Sequence, residues 1–91
     1  TMAMAALWPV LDPELPTDLV KGGLAVSGLY DLAPLLLAPF VNVDLQLTPE
    51  RATRLSPVHL PAATDAPLIT AVGALESSEF RRQNALIARR W

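Results

Sequence analysis

Leu24-Ala25-Val26-Ser27-Gly28-Leu29-Tyr30-Asp31-Leu32 carries the signals that set the fold class of this chain. Leu24-Ala25-Val26 is apolar without alternation, the pattern of a short strand covered on both faces, as strands of a parallel sheet are. Gly28 follows where the backbone has to leave the sheet, and Asp31 offers a capping acceptor to a short helix predicted over residues 32–37. A second apolar run, residues 67–72 (PLITAV), ends at Gly73 and predicts the partner strand. Two such strands do not make a stable sheet unaided. The expected class is therefore α/β, a contiguous slice of a larger doubly wound, mostly parallel sheet with flanking helices.

Prolines punctuate the rest, because each removes a backbone donor and restricts the residue before it. Residues 1–8 (TMAMAALW) read as the end of a helix stopped before Pro9, and residues 9–17, with three prolines and two acids, as a surface loop. Residues 40–47 read as irregular. Thr48-Pro49-Glu50 opens a helix, with Thr as N-cap, Pro at the first helical position and an acid near the positive end of the dipole. That helix is expected to reach Leu55 and stop before Ser56-Pro57, with loop over residues 58–66. Ser77-Ser78-Glu79 opens the last helix, on which Phe80, Asn84, Ile87 and Trp91 share one face.

Composition narrows the function classes. The 91 residues make one domain at most, and they are 52% hydrophobic and 18% charged. Typical soluble domains hold about 45–50% and about 25%, so the chain has more apolar material than a free-standing domain of this size needs. Seven basic against nine acidic residues give a net charge of -2, and the only basic clusters are Arg81-Arg82 and Arg89-Arg90. This argues against a nucleic-acid-binding module. With no cysteine and one histidine, a thiolate zinc site and a cysteine nucleophile are excluded, and no metal site is expected. No apolar run approaches the ~18 residues of a membrane span. Residues 1–11 lack a basic leader and run into Asp12-Pro13-Glu14, so a signal peptide is not expected and a cytoplasmic location is.

Several segments, in order and spacing, resemble a known family. They are VSGLYDL (residues 26–32), Asn42, Leu45-Gln46-Leu47, Ala52, Leu55-Ser56-Pro57, Pro67-Leu68 and AVGALESSEF (residues 71–80), with Arg82-Gln83 behind. The chain is similar to the C-terminal half of α/β-hydrolase-fold esterases of the arylformamidase type, across residues 1–91, with VSGLYDL and VGALESSEFRRQ as the specific parts. The resemblance implies a partial α/β-hydrolase fold and a serine hydrolase acting on a carboxylic ester or aryl formamide, with no cofactor. In that fold the nucleophile sits in a Gly-x-Ser-x-Gly elbow, and the acid and then the histidine follow it in the chain. No such elbow occurs here, so the resemblance implies a nucleophile just before Thr1 and a histidine beyond Trp91.

One residue is assigned a catalytic role on this basis. Glu76 lies seven positions before Gln83, where the family's Asp or Glu orients the triad histidine. Read from its residues alone, Glu76 is equally an acid that favours a helix start. Glu79 fits a capping position better than a triad acid. His59, the only histidine, precedes Glu76 and lies among loop prolines, so it is set aside. Leu29 and Tyr30, at a strand's carboxyl end, are candidates to line a substrate pocket. The competing expectation is that Tyr30 packs and Asp31 caps. Gly22-Gly23 precedes its strand and is no phosphate loop, and Ser27, Ser56, Ser77 and Ser78 stand in no elbow.

The expected partners are a small ester or formamide substrate and either a second copy or the remainder of a hydrolase domain, with neither nucleic acid nor membrane. The alternative from another class is a small non-catalytic interaction domain that folds with a partner through exposed apolar surface.

Overall fold

The computed structural model describes residues 1–91. Its centre is a two-stranded parallel sheet of β1 (Gly23–Val26) and β2 (Leu68–Ala71), in which Gly23 stands opposite Leu68 and Val26 opposite Ala71. The Gly23 N–H donates to Pro67 O (2.9 Å) and the Ser27 N–H to Ala71 O (2.8 Å), so the ladder runs one residue before the start of β2 and one residue past the end of β1.

Helices occupy one side. Short α1 (Met2–Ala5) buries Met4 against the sheet. A Cβ at Gly23 would lie 2.8 Å from Met4 Sδ, so the glycine there makes room for the methionine. The longest helix, α5 (Ser78–Arg90), is capped by Ser77, whose Oγ accepts from the Phe80 N–H (3.4 Å). Its inner face buries Ile87 completely, and its end is fastened by Arg90 Nε to Val58 O and Trp91 Nε1 to Leu60 O, both 3.0 Å.

The segments between the strands differ in part from the sequence reading. Pro9 does not stop a helix; it sits in the first turn of α2 (Trp8–Leu11), where a missing N–H costs nothing. Residues 33–37 form a 3₁₀ helix, opened by Asp31 Oδ1 accepting from the Ala33 N–H (3.1 Å). The stretch expected to be irregular holds α3 (Pro39–Leu45), with Pro39 in its first turn and Gln46 left-handed (φ 48°) at its end. Asn42 closes it, its amide accepting from the Leu47 N–H (2.8 Å). Helix α4 (Pro49–Leu55) begins as expected, with Thr48 Oγ1 accepting from the Arg51 N–H (3.2 Å). A 3₁₀ turn, Pro57–His59, takes the start of the expected loop.

The sheet is covered on one side only. Gly23, Ala25, Leu68 and Thr70 face α1 and α5, whereas Leu24, Val26 and Ile69 are 69%, 66% and 63% exposed. The expectation of burial on both faces thus fails within this chain, for want of a second layer. The molecule is correspondingly flat, 41 × 30 × 18 Å. Its radius of gyration is 14.3 Å, against about 12 Å for a compact domain of this length.

Such a face should bind hydrophobic dye and promote association. Replacing Val26 and Ile69 together by Thr keeps β-branching and removes apolar surface. The 91-residue chain should then bind less ANS and sediment as smaller species, with little change in its melting point. Undiminished dye binding would locate the sticky surface elsewhere.

Candidate active site

The carboxyl ends of β1 and β2 lie side by side, and two loops leave from there. After β2 the chain turns tightly, the Glu76 N–H donating to Gly73 O (3.1 Å), and this brings the Glu76 side chain back over the turn. Glu76 Oε2 accepts from the Gly73 N–H and from Ser27 Oγ (2.7 Å), a residue 49 positions away at the end of β1. Glu76 Oε1 has no hydrogen-bond partner in the chain. The Ser27 hydroxyl, with the Gly73 N–H second, holds the Glu76 carboxyl below its ordinary value of 4.5.

Ser27 itself is unusual, with φ 50°, in the left-handed region that non-glycine residues seldom adopt. Gly28, expected to supply the exit from the sheet, does so by its size and not by a positive φ. The Tyr30 ring folds back over it, and a Cβ there would lie 2.5 Å from the Tyr30 hydroxyl. Tyr30 is 1% exposed, and burial pushes its phenol above the ordinary value of 10.0. Of the two expectations for Tyr30, lining a pocket or packing, its burial fits packing, while Leu29 is 36% exposed at the same strand end.

Gln83 holds this exit in place. Its Oε1 accepts from the Tyr30 and Asp31 N–H groups (both 2.8 Å), and its Nε2 donates to Asp31 O and Glu79 Oε1 (both 2.8 Å). Every hydrogen-bonding capacity of the amide is used, and the two donors facing Oε1 fix which way it points. Arg82 completes the ring: Nε and Nη2 clasp the Glu79 carboxylate (2.9 and 2.8 Å), and Nη2 also reaches Asp31 Oδ2 (3.0 Å). Glu79 therefore does not cap α5 as expected. Arg82, foremost, holds its carboxyl below the ordinary value.

His59 is exposed near the C-terminal end of α5, held between Val58 and Leu60, whereas Glu76 precedes the other end of that helix. No three His, Cys, Asp or Glu side chains cluster as metal ligands. A cavity of about 580 Å³ opens under the covered face of the sheet, lined by Met4, Thr64, Leu68, Thr70, Ile87 and Trp91 among others. Glu76, Leu29 and Tyr30 do not line it. Sequence reading missed Ser27 and the Gln83 clamp. A polar residue set into the apolar face of α5 was the available signal for Gln83; nothing local marks Ser27, whose partner lies far along the chain.

Comparison with known proteins bears on this region. The kynurenine formamidase of Salmo salar is 38% identical over 73 residues, which are 75% of this chain and 24% of that relative. Over that stretch the chain is related to the kynurenine formamidases. The kynurenine formamidase of Danio rerio is 37% identical over 70 residues, 71% of this chain and again 24% of the relative. The chain thus spans about a quarter of the length of the curated relatives it matches. No family model and no solved structure matches it. No helix is long and apolar enough to cross a membrane.

Two measurements check this geometry. Gln83→Ala strands the buried Tyr30 N–H and opens a cavity, and should lower unfolding stability by about 3 kcal/mol or more. A loss under about 1 kcal/mol in urea melts would mean that water replaces the clamp. The second is a pH dependence. Because the Glu76 carboxyl lies lower in the folded chain than its ordinary 4.5, its contribution is complete above that value and is lost as pH falls through the lower folded one. Glu76→Gln should therefore flatten the acid fall of the urea midpoint. Asp18 and Glu79, also held low, remain in both proteins and cancel.

Proposed function

We propose that residues 1–91 form part of a serine hydrolase of partial α/β-hydrolase fold, which cleaves an aryl formamide or a carboxylic ester through an acyl-enzyme, and that Glu76 is its triad acid. One observation carries this reading. At the carboxyl ends of the strands, Glu76 is tethered through Oε2 alone by Ser27 Oγ and the Gly73 N–H, with Oε1 left without a partner in the chain. Functional groups of open α/β sheets gather at that end. A carboxylate held low and oriented through one oxygen can accept a histidine N–H on the other.

In this reading a serine hydroxyl attacks the carbonyl carbon while histidine takes its proton, and that proton then passes to the departing amine or alcohol. Water repeats the attack and releases the acid. Glu76 keeps the imidazole in the productive tautomer and offsets the imidazolium charge. The chain has no Gly-x-Ser-x-Gly, and His59 is not beside Glu76, so serine and base are supplied from outside residues 1–91. Similarity to proteins named kynurenine formamidase favours formamide over ester. Leu29, 36% exposed, has surface to offer the substrate at this strand end.

The bare apolar face of β1 and β2 favours one other reading, an interaction domain that folds with a partner and performs no chemistry. The two part on Glu76. In the longer protein carrying this segment, Glu76→Gln should lower kcat/KM by about two to four orders of magnitude with little change in melting point. Glu76→Asp should be milder. Glu79→Gln, which keeps an acceptor for the Gln83 amide and loses only the ion pair with Arg82, should lower the melting point slightly and leave the rate nearly intact. Full activity in Glu76→Gln would remove the triad assignment; loss in Glu79→Gln alone would move it three positions.

A further inference from the structure

We propose that Ser27 is a positioning residue for Glu76, acting on catalysis only through that carboxylate; the inference rests on the triad-acid reading above. Ser27 occupies a left-handed backbone position (φ 50°) immediately before Gly28, and no glycine of the chain has a positive φ. A glycine at 27 would make the same turn without strain. What serine supplies and glycine cannot is its hydroxyl, which donates to Glu76 Oε2 at 2.7 Å. Strained backbone at a site is held by its surroundings, and here the Ser27 N–H is pinned to Ala71 O (2.8 Å) while Gln83 fixes Tyr30 and Asp31 just beyond.

The geometry gives the hydroxyl a specific task. Ser27 Oγ and the Gly73 N–H reach the same carboxylate oxygen from two different strands' ends, so the carboxylate cannot rotate about its own axis without losing one of them. Oε1 is thereby left in a fixed direction for a histidine N–H. With Gly73 alone, both donor and acceptor would sit in one short turn, and the carboxylate would move with that turn. Ser27 ties it instead to the neighbouring strand. Both donors are neutral, so the negative charge stays available to the imidazolium.

The test compares Ser27→Gly and Ser27→Ala in the longer protein that carries this segment. Both remove the hydroxyl; glycine relieves the backbone and alanine does not. A turn-forming role alone predicts that Ser27→Gly matches the parent in rate and melts no lower. A positioning role predicts that both variants lose kcat, about ten- to a hundredfold for a hydrogen bond to a charged group, with KM little changed. The Glu76 carboxyl, followed by carbon-13 NMR, should titrate higher in both. Combined with Glu76→Gln, Ser27→Gly should bring no further loss of rate, since the residue acts through Glu76. Ser27→Gly within twofold of the parent, or a full additional loss in the double variant, overturns the inference. If Glu76→Gln alone keeps its rate, the triad reading itself is what has failed; a loss there beside an unaffected Ser27→Gly sinks only the role of Ser27.

Discussion

The Gln83 amide joins α5 to the segment leaving β1, and it does so where apolar contact could not. Eight of 91 residues are buried, too few for packing alone to hold a loop in a single place. An amide has two donors and two acceptor sites, and Gln83 uses all of them on Tyr30, Asp31 and Glu79. The consequence is sequential. Fixing the Tyr30 and Asp31 backbone seats the Tyr30 ring on Gly28, the seated ring leaves no freedom at Gly28, and Ser27 is then confined between that glycine and its bond to Ala71. The hydroxyl that meets Glu76 is at the end of this series of constraints.

Two carboxylates three positions apart are held ionised by opposite means, and the difference decides what each can do. Glu79 is clasped by the Arg82 guanidinium, which compensates its charge, and its first oxygen is further used by Gln83. With three of its about four acceptor sites taken and its charge compensated, it has little left to offer an incoming cation. Glu76 is held by a hydroxyl and a backbone N–H, neutral donors that favour the anion without cancelling it. A carboxylate meant to oppose a developing imidazolium needs that second arrangement. Burial is not required for it, since orientation and not a low dielectric is what the two donors provide.

Local chemistry made much of this legible in the sequence. Leu24-Ala25-Val26 and residues 67–72 gave two strands, Thr48-Pro49 a helix start, and Ser77 a cap, because each signal is carried by residues adjacent to the structure they cause. Helix α3 was not legible, since Val41, Val43 and Leu45 carry no helical signal, and its ending depends on Asn42 closing back on Leu47. Pro9 misled because a proline that stops one helix is indistinguishable in sequence from one that starts the next. At the site, Glu76 was legible through the family resemblance, whose acid stands seven positions before the glutamine matched by Gln83, while what Gln83 does there was not. Gln83, seven positions beyond the turn carboxylate, is the amide that fixes the opposite loop. The Ser27 tie spans 49 positions and leaves no local trace.

The apolar character of β1 and β2 is the remaining mismatch between sequence and structure, and it has a physical size. Leu24, Val26 and Ile69 stand about two-thirds exposed. Covering three such side chains is worth about 1.5–3 kcal/mol each, comparable to the whole stability of a small domain. Strands that faced water on one side would gain from alternation, with polar residues at 24, 26 and 69, and these do not alternate. The site sits at the edge of the same uncovered sheet. Ser27 extends β1 beyond Val26, and Glu76 lies past the end of β2, at the carboxyl edge of the sheet that Leu24, Val26 and Ile69 leave bare. In the triad reading proposed above, a layer that also reached Glu76 would reduce the access of water to it and strengthen the interaction of its free oxygen with an imidazolium. The bare strands offer a surface to further protein, and the triad reading has that layer extend to the unused oxygen of Glu76.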